Sequence, residues 1–579
     1  MRQARRAERV RRPLRMGRQS MQGTITRQAA GLGLMMATSL VMAQQPGTAE
    51  SPGAIQQQQQ QEIDRRLRDE RIQQRPVAPE ISVPQGGPAA PASAAKTIHV
   101  EQILIDRSEI LTQGQIDAIV KPLEGQTVSL ADLQQAIDAL NALYTAAGQA
   151  TARAILPPQT VKDGQVRFRL VEAKVGDVRV NGAEAIDPAF ITDRVALEPD
   201  ELLSVPVLES ALVRFNRLHS TQLRAGVVAG SKFGTTDVEI TAVEPPRTKF
   251  SVFFDNAGRD TVGETRGGFN ARFANLMGRS DTLQFLATRT EGSENYALSY
   301  SVPLDWHDLR LDLSASKGNI SIVDGPFEPL DITGSSSDFT AGLTYPLIVT
   351  LEDMWSVYGR LSARESSSAF GGLEQEKLNL RVFTAGVSGE HQSDDTAWYV
   401  DHSLASGITA LGGDQGFLYY RGSATRFDRL SERFQLLLRG GLQLSDTRFL
   451  PASELFQIGG AYTVRGFSEG LLSGRNGYFV SAELRIGRTL EEYQAADPDG
   501  PTLHGIVFID HGGALPYRPG NLKESTHDDY LTSVGVGVLF DFSEKVTGRI
   551  VIGQPLRGNP AELHDKRPRA HVSLNIALN

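Results

Sequence analysis

Leu450–Gly477 reads LPASELFQIGGAYTVRGFSEGLLSGRNG and lies between two segments that alternate apolar and polar residues. Hairpin connections usually span about two to five residues. A connection this long, rich in glycine yet carrying Phe456, Ile458, Tyr462 and Phe467, reads as a packed functional loop rather than a turn. On its N-terminal side Phe434, Leu436, Leu438, Leu442 and Leu444 oppose Arg433, Gln435, Arg439 and Gln443, which is the period of a strand and not of a helix.

The same alternation extends outward in both directions. Val534, Val536, Val538, Phe540 and Phe542 share one face, and Tyr296, Leu298, Tyr300, Val302 and Leu304 oppose Asn295, Ala297, Ser299 and Ser301. Sixteen candidate strands begin near residues 249, 266, 281, 295, 307, 336, 354, 377, 394, 416, 433, 476, 503, 530, 545 and 570. An even number permits antiparallel closure with both ends on one side of a membrane. An open sheet edge is not viable in hydrocarbon, so the last strand, His571 to Asn579, is expected to pair with the first. Alternation alone leaves open which face looks outward; strand lengths of about 9 to 11 residues and aromatic residues at strand ends favour lipid.

The 579-residue chain contains no cysteine, which excludes disulfides, thiolate nucleophiles and thiolate metal sites. Its start, rich in arginine and followed by the apolar run Ala29–Val41 and Val41-Met42-Ala43, has the layout of a secretory signal peptide over residues 1–43. Those residues hold nine arginines and one glutamate, so their removal shifts the net charge from −9 to −17. A chain this acidic is a poor nucleic-acid binder. No later apolar run reaches the roughly 18 to 20 residues of a membrane helix, which leaves a soluble exported protein or a membrane β-barrel.

Residues 44–95 cannot build a core. Gln56–Gln61, EIDRRLRDERIQQR and the Pro/Ala/Gly-rich stretch 76–95 predict a polar helix over about Ile55–Arg75, then a linker. A β-α-α-β-β pattern follows over 96–173: strand 97–105, helices from Gly114 and Leu130, strands 151–156 and 165–172. It repeats over 174–246, with a strand at 175–180, helices at 188–195 and 207–218, and strands at 223–228 and 236–243. Three-stranded sheets leave edges at which an extended peptide can add. Composition changes at Pro245-Pro246, and 247–579 is strand-like throughout.

No catalytic constellation stands out. The ten histidines include no metal-spaced pair, His504 and His511 near Asp510 lack a nucleophile, and no phosphate-cradling loop is present. The expectation is therefore no enzyme activity, no cofactor and no metal. Phe508-Ile509-Asp510 is the notable exception in the strands: a lumen-facing carboxylate in a barrel wall is costly unless paired, and arginine is its natural partner.

Glu454-Leu455-Phe456-Gln457-Ile458-Gly459-Gly460 followed by Val464-Arg465-Gly466-Phe467 resembles the conserved loop of two-partner secretion transporters, relatives of the BamA-type insertases. AAGQATARAILPPQTVKDGQVRFRLVEA likewise resembles the signature of that family's first POTRA domain. The resemblance implies a sixteen-stranded membrane β-barrel preceded by two periplasmic α+β POTRA domains, with the N-terminal helix (44–75) as a plug and loop 446–475 folded back into the lumen. By motif, Arg465 pairs with Asp510 of the wall segment Phe508-Ile509-Asp510, Gly466 lets the tip turn, Phe467 packs against the wall, and Val464, Gly459 and Gly460 belong to the same gating loop. The implied function is export of an unfolded partner protein, a large β-helical adhesin or cytolysin, across the outer membrane. The implied contacts are that partner, outer-membrane lipid and the barrel assembly machinery. The chain departs from the family at its end, Leu578-Asn579, where the family commonly has Phe. Alternative readings are a BamA-type insertase and, less favoured, an outer-membrane enzyme or porin.

Overall fold

The computed structural model describes residues 51–59, 61, 77–82, 97–149, 151–232, 234–487, 502–516, 529–543, 545–558 and 567–578. The expected signal segment 1–43 and most of the expected plug helix, 62–75, lie outside the described residues. Helix α1 (52–59) begins three residues earlier than the apolar pattern implies. Ser51 explains the shift: its hydroxyl accepts from the Ala54 amide at 3.2 Å, and Pro52 occupies the first helical position, where its missing N–H costs nothing.

Strand β1 (Ile81–Ser82) belongs to the linker. The first module contains β2 (Thr97–Val100), β3 (Gln102–Ile105), α2 (Gln113–Val120), β4 (Gln126–Ser129), α3 (Leu130–Ala146), β5 (Arg153–Ile155) and β6 (Gln165–Val171). Capping boxes at Thr112/Gln115 and Ser129/Asp132 start both helices. The expected strand 97–105 is broken at Glu101, because its first half pairs with β4 and its second half with β6. The second module contains β7 (Lys174–Asn181), α4 (Pro188–Val195), α5 (Val205–Leu218), β8 (Gln222–Ala229) and β9 (Thr235–Val243). Both sheets share one order, first strand beside third and third beside second, so the sequence repeat is a repeat of topology.

The barrel opens with β10 (Thr248–Asp255), β11 (Arg266–Ala274), β12 (Thr282–Arg289), β13 (Ser293–Pro303), β14 (Arg310–Ser321), β15 (Ile332–Val349), β16 (Asp353–Phe370) and β17 (Leu373–Gln392). It continues with β18 (Thr396–Gly407), β19 (Phe417–Arg429) and β20 (Phe434–Ser445). Two short strands of the long loop, β21 (Phe456–Ile458) and β22 (Leu472–Gly474), come next. The wall then resumes with β23 (Asn476–Ile486), β24 (Thr502–Leu515), β25 (Tyr530–Ser543), β26 (Val546–Arg557) and β27 (Arg569–Ala577). Leaving out β21 and β22, these close as a sixteen-strand antiparallel barrel, with β27 paired to β10 over Ser251–Asp255.

The apolar face is the outer one: Leu298, Leu444, Ile509 and Val536 are about half exposed, while Asn295, Gln443, Asp510 and Ser533 are buried. Three strands run far beyond the expected length, since β15, β16 and β17 have 18, 18 and 20 residues. Only about 9 to 11 residues are needed to cross hydrocarbon. The surplus is polar: Ser335, Ser336 and Ser337 of β15 stand opposite Ser367, Ser366 and Glu365 of β16, as suits a ladder that continues into water.

The second module is bolted to the turns at the β10-start end of the barrel. Arg194 Nε donates to Asp308 Oδ1 at 2.7 Å, Arg217 Nη2 to Glu390 Oε1 at 3.0 Å, and the Asp187 amide to the Gly278 carbonyl at 2.8 Å. His219, buried between Phe190 and Phe215, has Nε2 3.2 Å from Asp308 Oδ1. Burial holds its imidazole below the usual histidine value against the pull of Asp308. Arg194, with Arg214 Nε 3.6 Å from Oδ2, therefore supplies the standing positive charge for this carboxylate.

Candidate functional site in the barrel lumen

Loop 446–475 leaves β20, descends into the lumen and returns to β23. Its apolar residues Phe456, Ile458, Val464 and Phe467 pack with Phe479, Ala514 and Leu531 of the wall. Glycines make the path possible: Gly459, Gly460 and Gly466 have φ of +106°, +100° and +88°, and Gly470 follows at +64°. At Gly466 the approach is also tight, since a Cβ there would fall 2.9 Å from the Gly553 carbonyl. The Gly466 amide donates to His571 Nε2 on the last strand at 2.9 Å.

Arg465 sits at the tip, 1% exposed, against Asp510, which is fully buried. Its Nε donates to Asp510 Oδ2 at 2.7 Å and its Nη2 to Oδ1 at 2.9 Å, a bidentate fork. Its backbone amide donates to Oδ2 at 3.0 Å. The guanidinium lies 3.5 Å over the Phe508 ring. The motif-based placement thus brings Val464, Arg465, Gly466, Phe467, Phe508 and Asp510 into one cluster, with Gly459 and Gly460 as the loop's hinge into it. His511 points away from this carboxylate, towards Tyr478 and Thr532, so no hydrolytic arrangement forms around Asp510.

Sequence reasoning missed three partners. Glu483, fully buried on β23, accepts from Arg465 Nη1 at 2.5 Å, from Arg549 at 2.6 Å and from Arg485 at 2.9 Å. The alternation Ser481, Glu483, Arg485 on one face of β23 was the available signal, because Ser481 registers with Asp510. Glu454 of the ELFQIGG segment anchors the loop's other end. It accepts from Tyr419 at 2.8 Å and from Arg364, which also holds Asp338 at 2.5 Å. Arg259, in the connection after β10, is the third. Its Nε donates to Gln58 of α1 at 2.7 Å, and its Nη2 also reaches Gln457 of the loop.

Helix α1 lies inside the barrel against this loop. Ile55 packs on Val262, Ile320 and Ile322, Gln56 donates to Ser316 at 2.6 Å, and Gln58 donates to Glu469 of the loop at 3.3 Å. Gln457 donates to the Ala54 carbonyl at 3.3 Å. The polar glutamine run thus has a physical use: it satisfies the hydrogen-bonding groups of a polar lumen wall without burying charge.

A closed sixteen-strand barrel fed by two β-α-α-β-β modules, with a helix and a long loop in its lumen, defines a barrel of the outer membrane built around protein passage. Residues 98–173 match the ShlB-type POTRA domain, and residues 234–539, just over half the chain, match the family of haemolysin secretion/activation proteins ShlB/FhaC/HecB. The chain belongs to that family, the outer-membrane transporters of two-partner secretion, with its POTRA domains in the periplasm. It is 25% identical over 512 residues to the outer membrane transporter CdiB of Escherichia coli, covering 82% of this chain and 84% of that one. It is 22% identical over 554 residues to the heme/hemopexin transporter protein HuxB of Haemophilus influenzae, covering 92% and 95%. Among solved structures, CdiB from Escherichia coli aligns with a TM-score of 0.63 at 22% identity over 91% of this chain and 99% of that one. BamA from Haemophilus ducreyi lacking POTRA domains 1–3 aligns with 0.55 at 12% identity over 83% and 100%. At these identities the structural likenesses establish the fold.

Proposed function

We propose that this transporter holds its lumen shut with α1 and the loop together, and that export begins when α1 withdraws and leaves the loop docked on Asp510 and Glu483. The observation that carries this reading is the mutual contact of the two elements through Gln58, Gln457, Glu469 and Arg259. Helix and wall meet through glutamine hydrogen bonds, one of them from Arg259 to Gln58, and the apolar contact of Ile55, with no carboxylate–guanidinium pair among the described residues, whereas loop tip and wall are joined by buried, charge-assisted pairs. The helix is accordingly the weaker-held of the two.

In this reading the division of labour follows 44–75 plug, 76–95 linker, 96–173 and 174–246 periplasmic capture, and 247–579 pore, with residues 1–43 as the export signal. The chain carries no catalysis of its own, and the partner's folding outside biases its movement outward. Relatives are named as transporters of heme/hemopexin and of hemolysin; a long β-repeat exoprotein is the proposed cargo here, and outer-membrane lipid and the barrel assembly machinery are the proposed partners in the chain's own insertion. Deleting residues 52–61 should raise single-channel conductance in planar bilayers. Unchanged conductance would remove the plug from the account. Loss of one exoprotein from the medium, with bulk outer-membrane proteins at normal levels, would separate this function from a BamA-type insertase when the gene is deleted.

A further inference from the structure

The outer wall of the barrel is apolar over most of its height, but two carboxylates stand on it at the rim that faces the periplasmic modules. β16 begins at Asp353 and β17 ends at Gln392, so the turn carrying Glu352 and Asp353 lies at that rim. Asp353 is opposite His391 and His391 opposite Trp398, and Trp355 shares their face. That face is the lipid side. Val357, Phe383 and Leu404, in step with Trp355, His391 and Trp398, are exposed, whereas Glu390 and Gln392 point inward to Arg217.

Aromatic rings frame the two acids. The Trp355 and Trp398 centroids are 5.8 Å apart with planes at 66°, which makes two sides of a corner. Trp355 lies over Gly389, where a Cβ would fall 2.6 Å from its ring, and His391 stacks on Trp398 at 5.7 Å. His391 Nδ1 stands 2.9 Å from Asp353 Oδ1, and polar atoms of Glu352, Asp353 and His391 all lie within 4.8 Å of one another. The backbone here is fixed: the Asp353 amide donates to Thr350 Oγ1 at 2.9 Å and the Gln392 amide to the Glu352 carbonyl at 2.8 Å.

Other acids of this rim are matched by cations, Glu390 by Arg217, Asp308 by Arg194 and Asp428 by Arg426. Among the described residues, Glu352 and Asp353 have no arginine or lysine within ion-pair distance. Tryptophan is at home at the membrane–water interface, but an unmatched pair of acids beside it calls for a cation from outside the chain. Ring faces attract an ammonium, and carboxylates accept its N–H groups.

We propose that this corner binds the headgroup of a phospholipid bearing a primary ammonium, a phosphoethanolamine. Glu352 and Asp353 accept its N–H groups, Trp355 and Trp398 flank it, and the acyl chains run along the apolar wall past Val357 and Phe383. A quaternary ammonium offers the rings the same charge but gives the carboxylates no N–H. The proposal rests on the membrane contact put forward above and names the lipid that makes it.

The test uses the full-length Trp306→Phe protein, whose remaining tryptophans are Trp355 and Trp398. It is placed in phosphatidylglycerol nanodiscs holding a minor fraction of phosphatidylethanolamine, phosphatidylcholine or phosphatidylglycerol brominated on the acyl chains. Bromine quenches tryptophan only at short range, so quenching reads which lipid sits at the corner. The ethanolamine lipid is expected to quench about threefold more than the glycerol lipid, with the choline lipid between them. Asp353→Asn combined with Glu352→Gln should bring all three together while the barrel stays heat-modifiable on gels. Equal quenching by ethanolamine and glycerol lipids, or a preference that survives the double substitution, would overturn the headgroup site. Choline lipid equal to ethanolamine lipid would overturn the primary ammonium. A preference that needs added zinc chloride and disappears with EDTA would overturn the proposal in favour of a divalent cation on Glu352, Asp353 and His391. No quenching by any of the lipids would overturn the membrane contact itself.

Discussion

Arg465→Ala removes the side chain that ties the loop tip to the barrel wall, and the structure says what is left behind. Asp510 loses both guanidinium hydrogen bonds and keeps only the amide of residue 465. Glu483 still has Arg485 and Arg549. Truncating one member of a buried pair costs about 3–5 kcal/mol, and here both members are essentially inaccessible to water. Sixteen closed strand pairings hold the barrel independently, so the cost falls on loop docking, an increase in the undocked fraction on the order of 10²- to 10³-fold. The chain has no cysteine, which allows a single reporter at Val464→Cys, a fully buried position in the same loop. Labelling by a membrane-impermeant maleimide should be slow in the reporter alone and faster by that factor with Arg465→Ala, while the barrel remains heat-modifiable on gels and export falls sharply. Asp510→Asn should be milder, since Arg465 keeps Glu483. Equal labelling rates with and without Arg465, or Asp510→Asn worse than Arg465→Ala, would refute the reasoning.

Other perturbations probe neighbouring parts. Gly466→Ala places a methyl against the Gly553 carbonyl at a φ of +88° and should abolish export with the barrel still inserted; normal export would mean the tip does not need this approach. Glu454→Gln weakens the second anchor, at Arg364 and Tyr419. A charge-assisted hydrogen bond contributes about 1.5–3 kcal/mol, so Val464→Cys labelling should rise on the order of 10- to 100-fold, less than for Arg465→Ala. His219 is held neutral by burial in the fold and takes up a proton near its ordinary value of about 6.5 once unfolded. Its folded value being the lower one, stability of the second module is full above that pH and declines as pH falls below it. Protease resistance of the periplasmic region in urea should therefore drop between about pH 7.5 and 5.5 in wild type and change less in His219→Asn.

The barrel was legible because lipid enforces a simple rule: outward positions such as Leu298, Leu444 and Val536 must be apolar at every second residue, and the rule repeats along sixteen strands. The loop was legible by its length and by a motif shared with a family. Glu454 and Arg259 were not, since each acquires its role from residues on strands or loops far away in sequence; the lumen-facing run Ser481, Glu483, Arg485 marked a charged pair on β23 but not its extension to Arg465 and Arg549. The linker strand escaped for a different reason. Ile81-Ser82 is too short to show a period, and only the edge of β8 makes it a strand. The early start of α1 followed from Ser51-Pro52, a local signal that the sparse apolar residues of the helix had outweighed.

If α1 must leave the lumen for export, a disulfide that holds it there blocks the transporter. A Cβ built on Gly53 lies 3.7 Å from Ser366 Cβ on the barrel wall, within the range of about 3.5–4.5 Å that a disulfide spans. In Gly53→Cys/Ser366→Cys protein, oxidation should pin the helix to β16, stop export of the partner and hold conductance at the resting level, and reduction should restore both. Undiminished export through the oxidised protein would contradict the account.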